Sequence, residues 1–175
     1  MPIIEFQLVI PRVESFYKGD FMSTFAQKPN VMRLLTAFAM FAPISKIRIY
    51  FNRLRGCQIG KNCWLGDQVF LDVHPKHPTP NDCIVIGNDV AIGPSTKIFT
   101  HDTSYWQVSG YQIPMRFVRV EIGDYTWIGP NSFIYNAKIG SHCLIAPHTV
   151  VKKDVPDYSL VFGNPCKITK LELKQ

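Results

Sequence analysis

The sequence predicts an all-β solenoid, a parallel β-helix of about four to five triangular coils with an amino-terminal helical cap and a protruding loop. Three observations predict it. An aliphatic residue recurs every six positions, a small residue tends to follow it, and the series is broken twice by segments that cannot continue it.

At intervals of six, Ile59, Leu65 and Leu71 come into register, followed by Gly60, Gly66 and Asp72. Ile86, Ile92 and Ile98 form a second group, followed by Gly87, Gly93 and Phe99. Ile122, Ile128 and Ile134 form a third, followed by Gly123, Gly129 and Tyr135. One residue is then missing, and Ile139, Ile145 and Val151 complete the series, followed by Gly140, Ala146 and Lys152. A strand repeats every two residues and a helix every 3.6, so a period of six fits neither alone. It fits a short strand, a bend and another short strand, with one large aliphatic pointing inward per side and a small residue relieving the bend. The position four after each aliphatic is mostly small or β-branched (Cys63, Val69, Thr96, Thr126, Thr149), which suits a tight inward slot. Three such sides close a coil of eighteen residues, and stacked coils pair in parallel.

Residues 1–55 read as a helical cap segment and residues 56–175 as the β-helix domain. "PNVMRLLTAFAMFA" reads as a helix with Asn30 as its cap. "ISKIRIYFNRLRG" puts Ile44, Ile47, Phe51 and Leu54 on one stripe and Lys46, Arg48, Arg53 and Arg55 elsewhere, with Gly56 at the end. A solenoid needs its open first coil covered, so a cap is the expected role. Contact with an anionic membrane through residues 30–55 is a second expectation.

The first break, "VHPKHPTPNDC" (73–83), carries three prolines and cannot continue a ladder. The second, residues 100–119, holds Tyr105, Trp106, Tyr111, Met115 and Phe117, and rings in that number are expected to pack on something, another subunit first. His101 opens this break at the corner after Ile98. Most exposed histidines are structural or idle, but function concentrates on loops set on a rigid scaffold, which makes His101 a candidate. Asp102 follows it and is a candidate to orient the ring, although adjacent side chains usually diverge. Asp72 stands at the equivalent corner one coil earlier, where Ile98 should stack over Leu71. It is either a carboxylate within reach of a substrate or a bend residue in place of glycine. His74 and His77 sit among prolines with no third metal ligand in view, and read as a structural loop.

The tandem [LIV]-G-x-x-x-x hexapeptides resemble the left-handed parallel β-helix acyltransferases, and sugar or polysaccharide O-acetyltransferases in particular. "VEIGDYTWIGPNSFIYNAKIGSHCLIAPHTVVKKDVPDYSLVFGNPCKITKLE" carries the likeness. It covers about residues 56–173 and is absent from residues 1–50. The left hand of the coil comes from the resemblance, since parallel crossovers are normally right-handed. The resemblance also implies transfer of an acetyl group from acetyl-CoA to a sugar or saccharide hydroxyl, with His101 as general base, in a metal-free homotrimer. By the same resemblance Trp127 lines the acyl-CoA site, and Lys152, Lys153, Lys167 and Lys170 meet the CoA phosphates. Pro130 and Pro147 take the place of backbone contacts, and Asp72, Tyr105 and Trp106 stand with the acceptor. Lysines where arginines are common lose bidentate phosphate contacts, and the prolines remove two N–H donors. His101 follows the third side of its coil and Trp127 begins the second side of the next, so they should meet only across a threefold interface.

Other readings make different demands. An amino-sugar N-acetyltransferase would use the same histidine. A γ-type carbonic anhydrase would carry an H-x4-H pair, and Trp106 stands five residues after His101. A non-enzymatic scaffold would need neither an exposed histidine at the loop nor the "GNPCK" ending. No run of eighteen apolar residues exists, and the start lacks a positive n-region, so a cytoplasmic protein is expected, membrane-associated if the basic helix binds lipid. The five cysteines include no CxxC pair and are expected to be reduced, with Cys57, Cys63 and Cys143 in packing slots. A net charge of +6 suits an anionic ligand or surface, and no nucleic-acid partner is expected.

Overall fold

Aliphatic residues spaced by six close into a three-sided coil. The computed structural model describes residues 29–74, 76–81 and 83–172, so the first part of the cap segment and residue 173, at the end of the resemblance, lie outside the described residues. Two helices come first, α1 (Pro29–Phe41) and α2 (Ser45–Leu54). The first face of the prism stacks β1 (Gln58–Ile59), β4 (Ile84–Ile86), β9 (Val120–Ile122) and β12 (Lys138–Ile139). The second stacks β2 (Trp64–Leu65), β5 (Ala91–Ile92), β10 (Trp127–Ile128), β13 (Leu144–Ile145) and β15 (Ser159–Phe162), with β16 (Lys167–Lys170) at its edge. The third stacks β3 (Phe70–Leu71), β6 (Lys97–Phe99), β11 (Phe133–Tyr135) and β14 (Val150–Val151).

Within each face the strands are parallel and the repeat aliphatics stand one above another. Ile59, Ile86, Ile122 and Ile139 form one column. Leu65, Ile92, Ile128, Ile145 and Val161 form the second, and Leu71, Ile98, Ile134 and Val151 the third. All are buried, and together they make up most of a continuous core. Cys57, Cys83 and Cys143 are buried beside them as free thiols, and burial pushes the Cys57 thiol up to about 12 and the Cys83 thiol up to about 11.

Sharp corners require unusual backbone. Asn62, Asp89, Tyr125, His142 and Tyr158 turn the corner between the first and second faces, and Gln68, Ser95, Asn131 and His148 the next, all with φ between 53° and 59°. L-residues resist this left-handed region, yet each of the later ones donates its N–H to the coil beneath, as Ser95 does to Asp67 O (2.8 Å) and Tyr125 to Asn88 O (3.0 Å). The small residue of the repeat is needed for close approach: a Cβ on Gly93 would lie 2.5 Å from the Pro130 nitrogen.

The first coil has no coil beneath it, and the helices take that place. Gln68 N–H, at the corner position that pairs downward elsewhere, donates to Met40 O of α1 (2.9 Å). Leu65 N–H donates to Ser45 Oγ (2.8 Å). Arg48 donates to Leu65 O through Nε (3.1 Å) and Nη2 (2.8 Å), reaches Ala42 O through Nη1 and pairs with Asp67 (2.7 Å). Arg53 donates to Ile59 O and Gly60 O (both 2.8 Å), and buried Arg55 to Asn52 Oδ1 (2.8 Å). This corrects two expectations. Helix α1 already includes Pro29, so Asn30 lies within the helix rather than capping it. In α2 the arginines face the coil, and the apolar stripe is not the buried one. Arg48 and Asn52 are buried while Ile44 is 51% exposed. The reason is chemical: an open ladder presents carbonyls, and guanidinium groups satisfy them where leucines cannot.

Arg48→Ala should therefore cost about 2–3 kcal/mol, because charge-assisted bonds to buried carbonyls are lost. Lys46→Ala, on the exposed side of the same helix, should change stability by less than about 0.5 kcal/mol. Urea unfolding of the two variants beside the native chain checks this.

Candidate active site

The site is built where the repeat fails. Leu71 pairs with Ile98 between β3 and β6, which brings the next residue of the lower coil, Asp72, beneath the turn that leaves the upper one. Asp72 is buried, and its Oδ2 accepts from Thr100 N–H (3.1 Å) and from His101 Nδ1 (2.5 Å). Thr100 Oγ1 donates to the Asp72 carbonyl (2.6 Å), so the two turns are stitched together before any substrate arrives. With Nδ1 occupied by the carboxylate, neutral His101 carries its free lone pair on Nε2. Asp72 is thus the group that holds the ring. Asp102 is not: it lies with His101 in the two-residue strand β7 (His101–Asp102), where neighbours point to opposite sides, and its Oδ1 accepts from Ser104 N–H (2.8 Å) instead.

The electrostatics follow. The hydrogen bond that His101 donates to Asp72 raises the imidazole above the ordinary histidine range, against an opposing effect of burial. For Asp72, burial pushes the carboxyl up, but the bonds from His101 and Thr100 outweigh it and hold the group below the ordinary carboxylate range. The pair stabilises the fold most where both are charged. Stability from the raised histidine is present below its ordinary pKa of about 6.5 and is lost as pH rises through the higher folded value. Stability from the depressed carboxylate is lost as pH falls through its lower folded value.

The second break leaves the prism as a hairpin. β7 pairs antiparallel with β8 (Arg116–Phe117), His101 opposite Phe117, and the short helix α3 (Ser104–Val108) sits at its far end. The first break comes up beside it. His77 Nε2 contacts Val118 O (3.0 Å) while its Nδ1 accepts from Thr79 N–H (3.1 Å), so both ring nitrogens of His77 are engaged structurally. His74 belongs to the site, contrary to the reading of it as mere loop: its ring centroid lies 4.6 Å from that of His101 and 5.5 Å from that of Phe117. The signal was in the register, since His74 follows Leu71 by the same three residues as His101 follows Ile98. Proline neighbours hid it.

The other candidates are spread over the prism. Trp106 packs against Tyr111 (4.5 Å) and Phe117 against His77 (5.4 Å), so part of the loop's aromatic surface is satisfied within the chain. Tyr105 is 67% exposed at the far end of the hairpin. Trp127 projects from the second face, 40% exposed, and His101 leaves the third, so one chain does not bring them together. Lys152 and Lys153 follow β14 on the third face, whereas Lys167 and Lys170 lie on β16 at the edge of the second. All four are exposed on the last coil, but they form two pairs on different faces rather than a single cluster. Pro130 and Pro147 stack above Gly93 and Gly129 at the corner between those two faces.

Comparison with known proteins finds similarity to hexapeptide-repeat transferases. The family model described as bacterial transferase hexapeptide (six repeats) matches residues 119–153. Protein CapG of Staphylococcus aureus is 33% identical over 136 residues, covering 75% of this chain and 76% of its own. A galactoside O-acetyltransferase of Lactococcus lactis is 29% identical over 118 residues, covering 63% of this chain and 54% of its own. The chain spans about half the length of other curated relatives it matches, 58% and 51% of two putative acetyltransferases. Among solved structures, a hexapeptide-repeat acetyltransferase of Vibrio cholerae complexed with acetyl-CoA superposes with a TM-score of 0.56 at 24% identity, over 85% of this chain and 92% of that one. The coil is the left-handed parallel β-helix.

In Asp72→Asn the imidazole loses its charged partner, so His101 should titrate at lower pH than in the native protein. Histidine-edited NMR across pH 4–9, a window of about five units around the ordinary value, reads the shift directly. An unmoved His101 titration would show that Asp72 does not control the ring.

Proposed function

Because the chain belongs to the hexapeptide-repeat transferase family, we propose that it transfers an acetyl group from acetyl-CoA to a hydroxyl of a sugar or saccharide, with His101 as general base. One observation carries the reading: a partly buried imidazole, its side chain 20% exposed, whose Nδ1 is held 2.5 Å from a buried carboxylate, leaving Nε2 as the acceptor at the rim of a loop. A sugar hydroxyl is a poor nucleophile at neutral pH. His101 takes its proton as the oxygen attacks the thioester carbonyl, and Asp72 stabilises the imidazolium that forms. The same imidazolium returns the proton to the departing thiolate. No covalent enzyme intermediate is required. The name of the Lactococcus relative supports a saccharide acceptor, and the acetyl-CoA held by the Vibrio protein supports the donor.

The chain's own surface supports a trimer. The second face shows Trp64, Ala91, Trp127 and Leu144 outward, and the third shows Phe70, Lys97, Phe133 and Val150, with the Phe99 ring packed between Phe70 and Phe133. The first face carries Gln58, Val85, Glu121 and Lys138, with Glu121 paired to Lys138 and Arg119. Three chains arranged head to tail bury a second face against a third face at every interface, and leave the polar face in water. That arrangement brings Trp127, Lys167 and Lys170 of one chain toward His101 and Lys152 of the next, where the basic groups suit the CoA phosphates.

His101→Ala should leave the fold and assembly intact and lower turnover by about two to four orders of magnitude. Co-refolding inactive His101→Ala chains with inactive Trp127→Ala chains should restore part of the activity in mixed trimers; recovery of none, with both parents trimeric, would sink the shared site. Lys152→Ala and Lys167→Ala should each raise KM for acetyl-CoA by about 1–2 kcal/mol of binding, with kcat little changed, as uniform-binding contacts do. Steady-state kinetics in both substrates separates the two parameters.

A further inference from the structure

The residue beside the base is itself an imidazole, and its position is fixed by the loop that carries it. Lys76 N–H donates to His74 Nδ1 (3.1 Å), and His77 N–H donates to the His74 carbonyl (2.9 Å), closing a tight turn around the ring. Two further contacts hold that turn in place. Phe117 lies against the His74 ring, and His77 ties the loop to Val118 O. An Nδ1 that accepts a hydrogen bond puts the proton of neutral imidazole on Nε2. Among the described residues, Nε2 of His74 has no hydrogen-bond partner.

Two imidazoles 4.6 Å apart do not both take a proton readily, and the surroundings decide between them. His101 has the carboxylate of Asp72 on its Nδ1 and is raised. For His74, burial first and then the charge of His101 push the value below the ordinary histidine range; Lys76 and His77 add to this and Asp72 opposes it. Environments that drive paired groups apart assign them different tasks. His101 is the one that cycles its proton, and His74 stays neutral with a fixed N–H donor.

Which partner that donor meets follows from its side of the base. Lys152 lies two coils beyond His101 toward the carboxyl end of the prism, whereas Asp72 and His74 lie toward the amino end. A thioester arriving from the lysine side leaves the amino side for the acceptor. We propose that His74 is a second substrate-contacting residue, donating a hydrogen bond from Nε2–H to an oxygen of the acceptor saccharide beside the hydroxyl that His101 deprotonates. The assignment rests on the acetyl-transfer reading above.

Two measurements test it. Nitrogen-edited NMR of the native protein should find His74 with its proton on Nε2 and still neutral at pH values where His101 is charged. A proton on Nδ1, or titration at or above the His101 value, would overturn the proposal whether or not a substrate is known. The second measurement is kinetic, with acetyl-CoA and whichever of methyl galactoside, maltose or N-acetylglucosamine the native protein acetylates fastest. His74→Phe should raise KM for that acceptor by about tenfold or more and leave KM for acetyl-CoA within about twofold, and His74→Gln, which keeps a donor near the Nε2 position, should recover most of the loss. Unchanged kinetics in His74→Phe, or a fall in kcat with both KM values unmoved, rejects acceptor binding by His74. Should the native protein acetylate none of the three, it is the acetyl-transfer reading on these saccharides that fails, and the NMR result still decides the state of His74.

Discussion

The register of a single parallel strand pair, Leu71 against Ile98, fixes the chemistry of this protein. Strand β3 has two residues and β6 three, so backbone hydrogen bonds alone hold little. What prevents slippage is the inward column above and below them. A shift of one residue would turn Leu71 and Ile98 out of the core and Phe70 and Lys97 into it, at a cost of several buried side chains of about 1.5–3 kcal/mol each. Asp72 meets Thr100 and His101 only in the native register. A buried polar contact outside the column is therefore positioned by apolar packing beside it, and the rigidity of the column becomes the precision of the site.

A column has two ends, and each would leave an open ladder that invites association. The protein closes them differently. At the amino end, helix α2 supplies side-chain donors, and the carbonyls of Ile59, Gly60 and Leu65 receive guanidinium groups in place of strand N–H groups. At the carboxyl end the chain folds back: β16 pairs antiparallel with β15, covering the outer edge of the second face with the chain's own backbone. The arginines of α2 are committed to this role, which leaves Arg33 and Lys46 as the exposed basic groups of the described helices.

The coil was legible in the sequence because its rule is local and repeated. An aliphatic every six residues, a small residue at the bend, and the same offset through four coils can be read without knowing what lies opposite. The outward Trp127, the inward cysteines and the two departures from the coil follow from the same rule. The rest depended on pairings that sequence spacing does not encode. The sequence offered Asp102 to orient His101 and set Asp72 near the substrate or at a bend, because Asp102 is adjacent in sequence while Asp72 is adjacent only in space. The arginines of α2 look like a polar face until the carbonyls they satisfy are known. His74 occupied a register position that the repeat defines, but the prolines around it suggested a connection rather than a site.

The two breaks make sense only as a pair. The second rises from His101 as a hairpin, whose feet are pinned by β7 against β8 and by Val118 N–H on Thr100 O (2.8 Å). The first supplies His77 to Val118 O and His74 to the ring of Phe117, so it braces the foot through which the hairpin returns to the coil. The first break thus satisfies a carbonyl that the second would leave open. The far end of the hairpin is free of this constraint: Tyr105, Val108, Tyr111 and Ile113 are all exposed there. Because lengthening a loop whose feet are fixed costs little entropy, the far end can change in length and composition without moving His101. The tip can then vary while the imidazole, its carboxylate and the neighbouring histidine stay in the register set by the core.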